Sequence, residues 1–211
     1  MTTGRRLRAL TFDVRCLARR HGVRATARIL GAAVLDSALP RQDLLVLVKS
    51  LDAIAPISFE PRLRVDDLGP ESLGALAAFN RDRCDTRASE RFEANLGRRY
   101  HGFTAHEDGA LVGHYWWLDA TAEPHPHLAR LGIELGPRDA YGFDFFLDER
   151  HRGEGRAIDF LFQVESRLRD RGHERVWGYV DASNTAARWL YSMRGYATVR
   201  TLRRHRRGAM R

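Results

Sequence analysis

Residues 141–157 read YGFDFFLDERHRGEGRA, and residues 180–196 read VDASNTAARWLYSMRGY. The first stretch passes from an aromatic, β-favouring run through a short turn into the glycine-rich sequence RGEGRA, and then into a pattern of helical period. A glycine-rich turn that feeds the start of a helix is an anion site, because backbone N–H groups converge there and the helix dipole adds a favourable field. Gly153 and Gly155 lack a Cβ, which lets the chain bend tightly and approach a phosphate closely. Arg152 and Arg156 flank the turn and can add charge-assisted hydrogen bonds. The stretch is not a P-loop, since the Gly-Lys-Ser/Thr ending is absent, and it is not a dinucleotide fingerprint, since GxGxxG is absent.

Downstream, GEGRAIDFLFQVESRLRDRG (153–172) predicts a helix with Ala157, Leu161, Val164 and Leu168 on one face and Gly172 as its stop. RVWGYVDA (175–182) predicts a strand. NTAARWLYSMRG (184–195) predicts a helix capped by Ser183 or Asn184 and ended by Gly195. YATVRTLRRHR (196–206) predicts a last strand with a basic tail. Upstream, ISFEPRLRV (57–65) reads as a strand interrupted at Pro61, and PESLGALAAFNRDR (70–83) and RASERFEANLGRR (87–99) read as helices. HGFTAHE (101–107) and ALVGHYWWLDA (110–120) read as a hairpin around Asp108-Gly109. Residues 119–140 are ambiguous. The resulting order of strands and helices predicts a mixed α/β sheet.

Residues 1–55 differ in character. RRLRALTFDVRCLARR and VRATARILGAAVLDSAL carry apolar residues at helical spacing between arginines, with Leu7, Leu10, Val14 and Leu17 in one stripe. They predict two basic amphipathic helices broken at His21-Gly22, an arm that packs on the main domain or engages a membrane surface or partner. LLVLVKSL (44–51) follows as a short strand. The chain thus divides into a helical extension, 1–55, and a main domain, 56–211.

The whole has 211 residues, enough to bury a core without metal or disulfide staples. No run of about 18 apolar residues is present, so no membrane span is expected, and the N-terminus lacks an apolar signal core, which makes cytoplasmic the default reading. Cys16 and Cys84 read as free thiols, and neither sits in a metal-binding cluster. His125 and His127 in EPHPH are spaced to chelate, but no metal site is expected. The net charge is +8, carried by 34 Arg and the single lysine, Lys49. That charge favours anionic partners. The arginines are scattered and no helix-turn-helix or RNA-binding signature occurs, so nucleic acid is not the expected partner.

Arg152-x-x-Gly155-x-Ala157, directly after a strand, resembles the acyl-CoA pyrophosphate motif Gln/Arg-x-x-Gly-x-Gly/Ala of the GCN5-related N-acetyltransferase (GNAT) superfamily. VDASNTAARWLYSMRGY is similar to that family's next strand and helix, with Asn184, Ala187, Tyr191, Gly195 and Tyr196 at matching spacing. The resemblance covers roughly residues 60–205. It implies a GNAT-type mixed, mostly antiparallel central sheet flanked by helices, here with an N-terminal helical extension. It also implies transfer of an acyl group directly from acetyl-CoA or another acyl-CoA to an amine acceptor, a small molecule or a peptide, without metal. The alternative on the same fold is a module that binds acyl-CoA or acyl carrier protein without turnover.

By position, the resemblance places the backbone of Phe145, Phe146 and Leu147 against the pantetheine arm, in a gap where strands 141–147 and 175–181 splay apart. It places the pyrophosphate on Arg152, Gly153, Gly155, Arg156 and Ala157, and Asn184 beside the pantetheine. Tyr191 matches the tyrosine that protonates the departing thiolate, a task that suits a phenol with an ordinary pKa of about 10. Tyr179 stands where some members carry a glutamate base. Asp144, flanked by Phe143, Phe145 and Phe146, is the nearest carboxylate, and burial there would raise its pKa. His114 in GHYWWLD is the next base. Alternation puts Trp116 on one face of its strand and Tyr115 with Trp117 on the other, as core or as a wall of the acceptor pocket. Only 16 residues follow Gly195, which leaves open whether the family's last strand is shortened, absent or supplied by a partner chain, as in a homodimer.

Overall fold

A computed structural model describes residues 43–203 except 84, 86 and 87, together with residues 18, 19, 22 and 23. Cys16, Cys84, the Leu7–Leu17 stripe and the basic tail lie outside the described residues. The β-rich runs form strands β1 (Leu44–Ser50), β2 (Arg64–Asp67), β3 (His101–Glu107), β4 (Ala110–Asp119), β5 (Asp139–Leu147), β6 (Arg175–Asp181) and β7 (Ala197–Leu202). The helices are α1 (Leu73–Asp82), α2 (Ala88–Gly97), α3 (Pro126–Leu131), α4 (Arg156–Asp170) and α5 (Thr185–Met193).

The strands make one sheet in the order β2-β3-β4-β5-β6-β1-β7. Every neighbouring pair is antiparallel except β5 and β6, which are parallel. The β3–β4 hairpin turns at Asp108 and Gly109, whose φ values of 50° and 80° fit a tight turn of the type that matches strand twist. Asn184 is the cap of α5, its Oδ1 accepting from Ala187 N at 3.0 Å. Gly195, at φ 78°, ends that helix.

Two expectations are corrected. The strand predicted over 57–65 is β2, confined to 64–67. Pro61 has no N–H for a ladder, and the N–H groups of Arg62 and Leu63 donate instead to the buried Asp159 carboxylate, at 2.8 and 2.9 Å. The boundary drawn at residue 55 also falls too late. β1 lies inside the sheet, pairing with β6 from Leu44↔Asp181 to Ser50↔Arg175 and with β7 on its other side. The last strand is present as β7, at the sheet edge.

The two faces of the sheet carry separate cores. On one, Leu76, Phe92, Tyr100, Trp116, Leu131 and Tyr141 pack under α1, α2 and α3. On the other, Phe103, Tyr115, Trp117, Phe160, Val164 and Leu168 pack under α4. Trp116 thus faces one way and Tyr115 and Trp117 the other, and all three are buried in core. Among the described residues no helix is long and apolar enough to cross a membrane, and no cluster of His, Cys, Asp and Glu could hold a metal.

Candidate active site

β5 and β6 pair at only three positions, the last being Tyr141↔Trp177. Beyond it they diverge. Asp144 explains the divergence: its φ is 51°, and the β4–β5 register shifts between His114 and Trp116. This is a bulge, two residues of β5 standing against Tyr115, and it bends the strand. It also reverses the alternation of side chains. Tyr141 and Phe143 belong to the core under α1–α3, whereas Phe145 and Leu147 belong to the core under α4. At the apex of the divergence, Gly142 has no room for a side chain. A Cβ there would lie 1.6 Å from the Tyr115 hydroxyl.

Along the far arm of β5 runs a cavity of about 680 Å³. Phe145, Leu147, Arg152, Ala157 and Asn184 line it, with Ala187, Trp189 and Leu190 of α5. Phe146 is not among the lining residues. It points to the opposite face, against Phe79 and the His114 ring, with the Arg83 guanidinium 3.2 Å above it. At the end of the cavity the chain turns through Gly153, Glu154 and Gly155, all at positive φ (115°, 46° and 80°), into α4. The Asp159 carboxylate in the first turn of α4 fastens segment 62–63 to this helix. Phe59, from the same loop, lies against Gly155, where a Cβ would come within 2.7 Å of its ring.

The arginines of the turn are already engaged. Arg152 Nε donates to Leu147 O at 2.9 Å, so the guanidinium folds back onto the end of β5. Arg156 donates to Glu107 at 2.6 Å and to Glu154 at 3.1 Å, and Arg62 reaches the same Glu154 oxygen at 2.5 Å. Hydrogen bonds from Arg156 and from His151 hold the Glu107 carboxyl below its ordinary pKa.

Tyr191 does not line this cavity. It lines an adjoining cavity of about 400 Å³ with Leu45, Leu47, Val180 and Trp189. Its ring meets Tyr196 at 4.8 Å. Burial, together with Glu165 and Tyr179, raises its pKa, so the phenol stays protonated. Beneath it lies a buried charge cluster that sequence reasoning missed. Glu165 of α4 accepts from Lys49 of β1 at 2.6 Å and from Arg194 at 2.5 Å, and all three side chains are at most 5% exposed. The lone lysine among 34 arginines was the only signal of it.

The two proposed bases stand together. His114 Nε2 is 3.6 Å from Asp144 Oδ2, and Arg91 Nε is 3.8 Å from the same oxygen. Asp144 departs from expectation. Burial pushes its pKa up, but His114, Arg91 and Arg83 outweigh that, and the net shift is downward. The carboxylate, 36% exposed, is ionised and paired rather than protonated in an aromatic pocket.

The divergent strands, the glycine turn and the flanking helices define the fold of an acyltransferase of the GCN5 type, and the comparisons agree. The chain belongs to the acetyltransferase (GNAT) family, whose profile matches residues 71–196. It is 33% identical over 88 residues to the uncharacterized N-acetyltransferase YdgE of Bacillus subtilis, a match covering 40% of this chain and 55% of that protein, so it spans about half the length of this relative. Among solved structures, a GCN5-related N-acetyltransferase from Sphaerobacter thermophilus is 22% identical with a TM-score of 0.54, over 81% of this chain and 53% of that one. The GCN5-related glucosamine N-acetyltransferase region of a fungal multi-domain β-N-acetylglucosaminidase is 16% identical with a TM-score of 0.59, over 84% of this chain and 22% of that one.

Proposed function

We propose that the protein is an acyl-CoA-dependent N-acyltransferase, most simply an N-acetyltransferase, acting by direct transfer to an amine. The observation that carries this reading is the opening between β5 and β6 beyond Tyr141↔Trp177, with the Gly153–Gly155 turn and the 680 Å³ cavity along one side of it. The residues present fit the donor. The cavity walls are apolar where a pantetheine chain would lie, and the stretch of β5 beyond Tyr141, paired with β4 but not with β6, offers backbone groups to its amides. The turn at the start of the 15-residue helix α4 suits a diphosphate. A bound acyl-CoA supplies a carbonyl already activated as a thioester.

The protein's part is then positioning and proton transfer. The turn 152–157 anchors the anionic end, and Asn184 and Leu190 hold the chain. Tyr191 gives its hydroxyl proton to the departing sulfur. The Asp144–His114 pair takes the proton that the amine must lose. Titration calorimetry with acetyl-CoA and longer acyl-CoAs tests the donor site. Micromolar binding, lost in Arg152→Ala and Gly155→Glu, is the expected result. Absence of binding to every acyl-CoA would overturn it in favour of a carrier-protein ligand.

A further inference from the structure

The cavity of about 400 Å³ that Tyr191 lines is distinct from the one along β5 but adjoins it, since Thr185 and Trp189 of α5 stand in the walls of both. Its volume lies in the range of small-molecule pockets. On the sheet side its wall is apolar: Leu45 and Leu47 of β1 and Val180 of β6, with Leu45 and Val180 paired across the two strands. On the other side its wall is polar, with Arg188 of α5 and the hydroxyl of Thr198 on β7. Among the described residues its lining holds an arginine and no acid.

Arg188 is held in place and still able to bind. Its Nη1 donates to Ala182 O at 3.0 Å, which leaves the rest of the guanidinium's donors for a ligand. The carboxylate that acts on Tyr191 and Tyr196 in the cavity wall is Glu165. Lys49 and Arg194 both bond to it, so its charge is more than offset and the buried cluster is net positive. An anion is therefore the charge that this cavity favours.

We infer that this cavity is the acyl subsite of the donor, and that it takes a short acyl chain ending in a carboxylate, of the succinyl or glutaryl kind, rather than acetyl alone. The inference rests on the acyl-CoA reading, in which Tyr191 protonates the departing sulfur. The acyl carbon is one bond from that sulfur, so an acyl group longer than acetyl has this space beside Tyr191 to enter. Leu45, Leu47 and Val180 cover its methylenes, and Arg188 takes the terminal carboxylate through charge-assisted hydrogen bonds. An acetyl group would leave the cavity unfilled and Arg188 without its anion. Tyr191 still gives its proton to the sulfur as the carbonyl carbon passes to the amine nitrogen, and the Asp144–His114 pair still takes the proton that the amine loses.

Titration calorimetry with coenzyme A, acetyl-CoA, pentanoyl-CoA and glutaryl-CoA tests this, the last two acyl chains being equal in carbon count. Glutaryl-CoA is expected to bind about tenfold tighter than either acetyl-CoA or pentanoyl-CoA. Arg188→Met removes the advantage over pentanoyl-CoA. Thr198→Phe, at an exposed strand position, narrows the cavity and removes the advantage over acetyl-CoA. The affinity for coenzyme A itself stays unchanged in both variants. Glutaryl-CoA binding no tighter than acetyl-CoA to the wild type overturns the inference. So does pentanoyl-CoA matching glutaryl-CoA, the mark of a plain alkyl pocket, and so does an advantage that survives both variants. Each of these leaves the donor reading standing, whereas failure of coenzyme A to bind overturns the donor reading and the inference with it.

Discussion

The two sides of the β5–β6 gap are built on different principles. The proposed donor side is made mostly from one continuous piece of chain, the end of β5, the turn 152–157 and the start of α4, completed by the cap of α5. Its chemistry is mostly backbone, and its glycines are there to bring that backbone close. The opposite side is made from side chains that meet only in three dimensions, from β4, β5, β6 and the start of α3. A backbone device tolerates variation in its side chains, whereas a side-chain device changes with each substitution. One scaffold can therefore keep its donor while its acceptor drifts.

That comparison can be broken or sharpened by experiment. The largest effect is expected from Tyr191→Phe. If the phenol acts at the boundary between the two sides, kcat falls about 10²–10⁴-fold with the KM for acetyl-CoA unchanged; a matching rise in that KM would place Tyr191 on the donor side. Glu165→Ala leaves Lys49 and Arg194 buried without their carboxylate and is expected to cost about 3–5 kcal/mol in denaturant unfolding. A loss under 1 kcal/mol would show that the cluster is solvated in solution. Gly142→Ala forces a Cβ onto the Tyr115 hydroxyl at the apex, for roughly 1–3 kcal/mol. Tyr115→Phe in the same chain should recover part of it, and no recovery would mean the strand itself moves. The smallest effect is at Glu107. Because its folded pKa lies below the ordinary 4.5, the stability it adds is complete above pH 4.5 and is lost as pH falls through the folded value. Melting temperatures of Glu107→Gln should therefore fall less steeply between pH 5 and pH 3 than those of the wild type.

The local structure of the proposed donor side was legible in the sequence because its signals are local. RGEGRA between an aromatic strand and a periodic helix announces a turn wherever the rest of the chain lies, and Asn184 declares its cap within three residues. The bulge at Asp144 was not legible. Nothing in FDFF states that one aspartate will adopt a left-handed φ, yet that conformation sends Phe143 and Phe145 to opposite faces and pairs Asp144 with His114. Simple alternation would have kept both rings together. EPHPH was visible as two histidines suited to a metal, but their ring partners Phe143 and Tyr179 lie 18 and 52 residues away in sequence, and only the sheet brings them together. LLVLVKS was readable as a strand. Its place between β6 and β7 was not, because the pairing that puts it there is set by contacts across most of the chain.

The position of β1 also dictates an order of events in time. During synthesis Leu44–Ser50 leaves the ribosome first, but its partners Arg175–Asp181 and Ala197–Leu202 come last. At about 5–20 residues per second the strand waits on the order of ten seconds with its apolar side chains unmatched. Such distant pairing raises contact order and slows folding. The sheet is sealed late, when β6 and β7 close around a strand made long before them, so a nascent chain paused before residue 175 carries LLVLVKS with both edges unpaired, open to the strands of a second copy.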